Sequence, residues 1–455
     1  MYRCGGWKLS LREFVEESQS FGDVLKIETP LSPKFEIPLV LKELDGGPIV
    51  LFENVEGYKV KVIGGVCGKR SRIYKALRVR GAIELYQALL EAVKNPLKAE
   101  RVDDGPVAEV IEKVKLDRIP VLTHYSRDPA PYITASVVSA LSPDGEIENV
   151  SIHRLEVLDE KHLAIRIVPR HLYRLCQIAK ESGKNTLDVA ISIGLHPAVL
   201  LAASTPAPFG VSEYDVANRL LGGRLKLLRC RYVNAYAPSE AELVLEGKIM
   251  LDKLVDEGPF VDLTGTYDRV RRQHVVKVVG VMHREDYIYQ ALLPASSEHR
   301  LLMGVPREAL IWNLARKIVP EVKGVNLTAG GCGWLHCVIS IRKVREGDGK
   351  NVLMAVFSAH PSVKHAVVVD EDIDPFNPRE VEWAIATRFR GDRDLIVVPN
   401  AAVSTLDPMA DEEGLGCKVG VDATKPLKEG WMFEKASIPL SGRVKRLLEG
   451  LRRAC

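Results

Sequence analysis

The sequence predicts a mixed α/β protein of three consecutive units, with helix-and-strand texture at both ends and a strand-rich middle. Three observations predict it. At 455 residues the chain exceeds what one compact core usually takes, so two or three domains are expected. Hydrophobic residues make up 46% and charged residues 27%, the balance of a folded globular chain. Apolar residues recur at helical spacing near the start, gather in short β-branched runs through the middle, and alternate between helix and strand over the last third.

Residues 1–115 read as an N-terminal α/β unit. In "SLREFVEESQS" Ser10 and Glu13 form a capping box and Leu11, Phe14 and Val15 an apolar stripe, which starts a helix. Strands are expected at "DVLKIE" and "PIVLF", a second helix at "GAIELYQALLEAVKN", and a linker at "DDGP", 103–106. Between them "GGVCGKRSRIYKALRVRG" suggests a phosphate-binding loop but lacks its spacing. Ile63 stands five residues before Gly68, where a glycine is needed, and Arg70 follows Lys69 where Ser or Thr is needed. The run Lys69, Arg70, Arg72, Lys75, Arg78 and Arg80 reads as a solvated basic helix face, with an anion site as the alternative.

Residues 116–304 carry "YITASVVSAL", "ENVSIHRLEVLD", "KHLAIRIV", "KLLRCRYVNAY", "HVVKVVGVMHRE" and "YIYQALL", β-branched and aromatic runs broken by Gly, Pro and Asp turns. They predict a substantial sheet or barrel. Residues 305–455 alternate "EALIWNLARKIV", "HCVISIRKV", "NVLMAVFSA", "HAVVVDED", "PREVEWAIATRF" and "DLIVVPN", the pattern of an α/β layer on a mainly parallel sheet. The last segment, "SGRVKRLLEGLRRAC", places Val444, Leu447, Leu448 and Leu451 on one stripe of a basic helix. That helix packs on its own core or on another subunit.

Lys plus Arg total 63 against 60 Asp plus Glu, a formal charge of +3. So small an excess argues against a nucleic-acid coat or a membrane-surface binder, and "GKRSRIYKALRVRG" has no aromatic interleaving beyond Tyr74. No apolar run approaches the ~18 residues of a membrane span, and "MYRCGGWKLSLREF" lacks a secretory h-region, so the cytoplasm is expected. Eight cysteines (Cys4, Cys67, Cys176, Cys230, Cys332, Cys337, Cys417 and Cys455) show neither paired disulfide spacing nor a zinc motif, "CGWLHC" included. They read as reduced thiols.

Three groups of residues could carry chemistry. In "LVDEGPFVDLTG" Glu257 and Asp262 flank a Gly-Pro step between apolar residues, where solvated turn acids are the ordinary reading. With a cation beside them, two carboxylates in unlike surroundings can divide donor and acceptor roles. Arg154, in the apolar-flanked "NVSIHRLEV", is such a cation. Asn149, His171 and Glu213 offer an amide oxygen, an imidazole and a carboxylate suited to a hard or borderline ion such as Mn²⁺. In "GLGCKVGVDATKP" three glycines flank Lys418, so backbone N–H groups and a point charge could meet a phosphate.

Taken in order, "ENVSIHRLEVLD", "IGLHPAVLLAASTPAPFGVSEYDVANRLLGG", "PSEAELVLEG", "EGPFVDLTG", "REDYIYQALLP", "EVEWAIATRF" and "GLGCKVGVDATKP" resemble the UbiD family of prenylated-FMN-dependent reversible decarboxylases. The resemblance covers roughly residues 110–430. It implies a central split β-barrel flavin-binding domain and a C-terminal α/β domain through which dimers or hexamers assemble. It also implies prenylated FMN, Mn²⁺ and K⁺ as cofactors and a flavin prenyltransferase as the supplier of the first.

Carried over residue by residue, Asn149 and Arg154 match the family's Asn-x4-Arg pair, Asn149 as a metal ligand and Arg154 in the catalytic Glu-Arg-Glu/Asp network. Glu213 matches the metal-ligand glutamate. Glu257 and Asp262 match the two acids, Asp262 as proton donor. Ser151, Ile152, His153, Arg170 and Lys418 fall beside the cofactor, Lys418 at its phosphate. His171 and Arg170 compete for the third ligand position, which favours His171 because imidazole can ligate a metal and guanidinium cannot. Glu242 and Glu246 belong to the pattern without a catalytic role. Asn149 and Arg154 have opposite parity on a regular strand, so a bulge or a cofactor wrapping the strand's end must reconcile them.

The expected reaction is loss of CO₂ from an α,β-unsaturated acid, with the freed electrons held in the flavin ring and a proton returned by Asp262. Family members act on polyprenylated hydroxybenzoates, cinnamate-like and other aromatic acids, and the phosphorylated alkenoic acid trans-anhydromevalonate 5-phosphate of an archaeal isoprenoid route. The last is the expected substrate, an aromatic-poor pocket being its mark, and a prenylated or simple aromatic acid the alternative. A catalytically silent flavin-binding protein and a nucleic-acid-binding α/β protein are the readings from other classes.

Overall fold

The computed structural model describes residues 9–428, 430–439 and 441–454, without the side chains of 449 and 452–454, so Cys4 and Cys455 lie outside the described residues. The first helix, Leu11–Ser20, starts at a complete capping box, Ser10 receiving the Glu13 N–H and Glu13 reaching back to the cap. Helices Glu36–Glu43, Arg70–Leu77 and Ala82–Lys94 follow, around a four-stranded sheet ordered Val24–Ile27, Ile49–Phe52, Lys61–Gly64 and Ile288–Gln290. The fourth strand arrives from far along the chain and pairs in parallel with Lys61–Gly64.

The middle of the chain closes on itself. Strands Tyr132–Leu141, Glu148–Val157, His162–Ile165, Thr186–Ile193, Leu243–Glu257 and Arg271–His283 form a six-stranded antiparallel barrel, closed by the pairing of the last two. Closure removes exposed strand edges and encloses one of the hydrophobic cores. The longest pair cannot stay regular over its length, and its register shifts at Glu246/Gly247 and again at Met250/Leu254.

The last third holds a five-stranded sheet ordered Glu321–Leu327, His336–Arg342, His365–Asp370, Leu415–Ala423 and Leu395–Ala402. Its two central pairings are parallel but both outer ones are antiparallel, so the sheet is mixed rather than mainly parallel. Edge strands that return beside their neighbours need no crossover helix. Helix Ser297–Ala315 joins the units by packing on Ala82–Lys94 and on Asp348–Ala359. The chain closes with the expected helix, Gly442–Ala454, whose Val444, Leu447, Leu448 and Leu451 are all exposed.

The basic run of the N-terminal unit divides: Lys75, Arg78 and Arg80 are exposed as expected, whereas Arg70 and Arg72 turn inward. Arg72, 1% exposed, donates to both Asp23 oxygens and to the carbonyls of Gly65 and Gly47. Arg70 pairs with the fully buried Glu308, which also receives Tyr86 Oη (3.1 Å) and the Leu327 N–H (2.8 Å). Nor does the glycine loop await an external anion. The N–H groups of Gly65 and Cys67 donate to Glu298 at 2.9 and 2.7 Å, a carboxylate of the same chain. Among the described residues no helix is long and apolar enough to cross a membrane.

Candidate active site

Strand Glu148–Val157 positions most of the expected residues and divides them between its two faces. On one face Ser151 Oγ bonds Asn149 Oδ1 (3.1 Å) and meets His153 Nε2 (2.9 Å), while His153 Nδ1 lies 2.8 Å from the Arg166 carbonyl. The other parity carries Ile152, packed against a hydrophobic core, then Arg154 and Glu156. No bulge in this strand reconciles the two parities: the register slip between Ile133 and Ser136 puts the extra residue in the neighbouring strand, opposite Arg154.

Arg154 gathers the acids. Nε and Nη2 donate to the two oxygens of Glu257 at 2.8 and 2.9 Å, Nη1 donates to Asp262 Oδ2 at 3.0 Å, and Asp268 stands 3.6 Å from Nη2. This bidentate grip fixes both the charge and the plane of Glu257. The Arg154 guanidinium also lies over the Phe260 ring, 4.9 Å from its centroid, and that ring packs on Tyr132 at 4.2 Å. Burial disfavours the Arg154 cation, but Glu257, Asp262 and Asp268 outweigh it and its pKa rises.

The two acids differ in access. Glu257 is fully buried whereas Asp262 is 24% exposed. Asp262 is fixed by a hairpin in which Phe260–Val261 pairs with Tyr267–Asp268, and its Oδ1 receives the Leu263 N–H at 2.7 Å. It opens on a cleft of about 410 Å³ whose far wall is the Thr405–Gly414 loop of the C-terminal unit. The Gly-Pro step is the corner that carries the chain from Glu257 into this hairpin.

Sequence reasoning missed several neighbours of this network. Asp268 bridges Arg154 and Arg271; burial pushes its pKa up, but the arginines win and it falls. Tyr132 Oη donates to Glu156 at 2.8 Å, and both accept from the Gly258 N–H. Half-buried His299 feels the charge of Asp262, while its Nδ1 accepts from the Ala295 N–H at 3.2 Å. Asp268, six residues after Asp262 across the hairpin, had the one visible signal.

Glu213 begins helix Glu213–Leu220, behind the cap Ser212, and is 4% exposed. Its carboxylate accepts from the Val150 N–H at 2.7 Å and from Asn149 Nδ2 at 3.3 and 3.4 Å, contacts that bring two of the expected metal ligands together. Burial, which those hydrogen bonds only partly offset, pushes its pKa up to about 8. A divalent cation would supply the charge this carboxylate needs, so the donor set fits a metal. His171 is the first residue of helix His171–Glu181 after Arg170, and its ring meets that of Phe209 edge-on at 5.4 Å. Among the described residues no hydrogen bond or ion pair joins it to Asn149 or Glu213. Among the described residues no three His, Cys, Asp and Glu side chains gather as a metal group; the expected set draws its third donor from an amide.

Lys418, on strand Leu415–Ala423, is buried and donates to the carbonyls of Pro361 and Val363. Burial pushes its pKa down. Glu242 and Glu246 do structural work. Glu242 takes a bidentate bond from Arg12 at 2.8 Å, tying the first helix to the barrel, and Glu246 accepts the N–H groups of Tyr232 and Val233.

Comparison with known proteins covers nearly the whole chain. Residues 15–93, 99–297 and 300–423 match the N-terminal, Rift-related and C-terminal domains of 3-octaprenyl-4-hydroxybenzoate carboxy-lyase. A protein of Methanothermobacter thermautotrophicus named anhydromevalonate phosphate decarboxylase is 45% identical over 91% of this chain and 97% of its own. The UbiD-class enzyme HmfF of Pelotomaculum thermopropionicum, in complex with FMN, superposes with a TM-score of 0.92 at 41% identity, over 94% of this chain and 97% of its own. An evolved dimeric form of that enzyme, in complex with prFMN, gives 0.88 at 39% identity over the same shares.

Proposed function

The chain belongs to the UbiD family and is a decarboxylase, and on that premise we propose that it removes CO₂ from trans-anhydromevalonate 5-phosphate with prenylated FMN, Mn²⁺ and K⁺ as cofactors. The observation that carries the reading is the Arg154 grip on a buried Glu257 and a cleft-facing Asp262. The name of the Methanothermobacter thermautotrophicus relative supports the substrate.

Prenylated FMN, when bound, supplies the electron sink that lets the bond to the carboxylate break. Asn149, His171 and Glu213 would hold Mn²⁺, Lys418 would meet the flavin phosphate, and Ser151, Ile152, His153 and Arg170 would line the cofactor. Arg154 holds Asp262 in place through Nη1 and fixes Glu257 beside it. Asp262 in its neutral form then gives a proton to the α-carbon that has lost CO₂, and its partial exposure lets solvent return that proton for the next turnover. Phe260 and Tyr132 keep water from the far side of the guanidinium. Assembly into a homo-oligomer, with a flavin prenyltransferase as cofactor supplier, belongs to the same reading.

The test is CO₂ release from trans-anhydromevalonate 5-phosphate by protein co-produced with a flavin prenyltransferase, with Mn²⁺ and K⁺ present and the bound flavin identified by mass spectrometry. Release is expected. Prenylated FMN bound without release would remove this substrate and leave an aromatic acid to be tried.

A further inference from the structure

One group of cations lies outside the acid network. Arg307, on helix Ser297–Ala315, stacks over Trp334 at 5.7 Å, and Trp334 meets the His360 ring edge-on at 4.3 Å. Trp334 is itself fixed by its Nε1 bond to Ser404 Oγ, 3.1 Å. His360 is 2% exposed, and its Nε2 is buried with no hydrogen-bond partner. It feels the charges of Arg307, Lys418 and Arg170, which brings residues from the barrel and the C-terminal unit to one place. Burial and Arg170 push the Arg307 pKa down to about 10. Among the described residues neither Arg307 nor His360 has an ion-paired carboxylate, unlike Arg70, Arg72, Arg154 and Arg388. A half-buried guanidinium without a carboxylate, beside a buried imidazole nitrogen without a hydrogen-bond partner, offers a charge and a donor that an anion would satisfy together.

We propose that Arg307 and His360 bind a phosphate monoester dianion, and that it is the phosphate of the substrate. The inference rests on the substrate reading above. Geometry favours the substrate as source. Helix Ser297–Ala315 carries His299 beside Asp262, and Arg307 lies eight residues on, about 12 Å further along the axis. An extended five-carbon acid spans ~7 Å from carboxyl carbon to phosphorus, and a contact of ~3 Å at each end brings the total to about 13 Å. The length of such a molecule thus matches the rise along this helix from His299, which feels Asp262, to Arg307.

The experiment uses flavin-loaded enzyme, wild type and the variants Arg307→Gln, Arg307→Lys and His360→Gln. Each is assayed with trans-anhydromevalonate 5-phosphate and with the same acid carrying a free 5-hydroxyl, and bound flavin is quantified. Binding of 3-methylbut-3-enyl phosphate, the decarboxylated product, is measured by calorimetry. Loss of a charge-assisted contact should raise KM for the phosphorylated acid about 10- to 100-fold in Arg307→Gln, less in Arg307→Lys. The hydroxy acid and the flavin content should be unaffected, and the alkenyl phosphate should bind correspondingly more weakly. Loss of flavin instead would assign the cluster to the cofactor's phosphate and overturn the proposal, as would equal losses on both acids or none on either. His360→Gln carries the same test should Arg307→Gln fail to fold. A wild type that releases no CO₂ but binds the alkenyl phosphate through Arg307 would sink the substrate reading and leave the anion site standing.

Discussion

At the scale of single residues the acid network makes sharp demands. Asp262→Asn keeps the shape and the bond from Arg154 but has no acidic proton to give, so turnover should fall by about 10²–10⁴-fold while flavin content stays that of the wild type. Flavin lost with activity would place Asp262 in cofactor binding instead. Arg154→Gln leaves Glu257 fully buried without its cation, which should cost ~3–5 kcal/mol and lower the urea midpoint as well as the rate. An unchanged midpoint would show that Glu257 finds another partner. Much of this network was legible, because Glu257, Asp262 and the Asn149-x4-Arg154 pair sit in short runs whose wording resembles a known family. Tyr132, Glu156 and His299 were not, since strand pairing and a distant helix bring them in and no local spacing announces them.

At the scale of elements the sequence was read well where a local rule governs and poorly where a partner lies far off. The capping box at Ser10 and Glu13 is local, and it formed as expected. In the run from Lys69 to Arg80, Arg70 and Arg72 looked as solvated as the exposed Lys75, Arg78 and Arg80 because Glu308 and Asp23, which neutralise them, stand elsewhere in the chain. The antiparallel outer strands of the C-terminal sheet were hidden because a buried apolar strand looks alike in either direction. Helix Pro197–Ala203 shows how a cap couples to pH. His196 accepts the Ala198 N–H through Nδ1 at 3.1 Å, and burial pushes its pKa down to about 4, with Glu13 opposing weakly. Between pH 4 and the unfolded value of about 6.5, the unfolded chain binds the extra proton, so stability rises with pH and is lost on acidification through that window. His196→Asn keeps a capping acceptor and should remove up to about 1.4 kcal/mol per pH unit from that slope, read as the difference in urea midpoints between pH 5 and 7. Parallel slopes for the two proteins would show that His196 does not titrate there.

At the scale of the whole molecule the terminal helix bears on assembly. Leu447 and Leu451 are 61% and 54% exposed on one stripe, a face that an isolated chain has no reason to keep apolar. If the proposed homo-oligomer assembles through this face, replacing both with Asp should lower the sedimentation coefficient toward that of a single chain without touching the flavin spectrum; an unchanged value would count against this face as an interface. The three-unit plan was legible in the change of texture along the chain, but the way the units interlock was not. The strand Ile288–Gln290, made after the barrel, completes the sheet begun at Val24–Ile27. That arrangement has a consequence in time. Between Gly64 and Ile288 a ribosome must add ~220 residues, which at roughly 5–20 residues per second takes on the order of 10 to 45 s. Until then the edge of Lys61–Gly64 stands open to strands of other nascent chains, so slow translation or missing chaperone cover should reduce the yield of soluble protein before any finished fold is at risk.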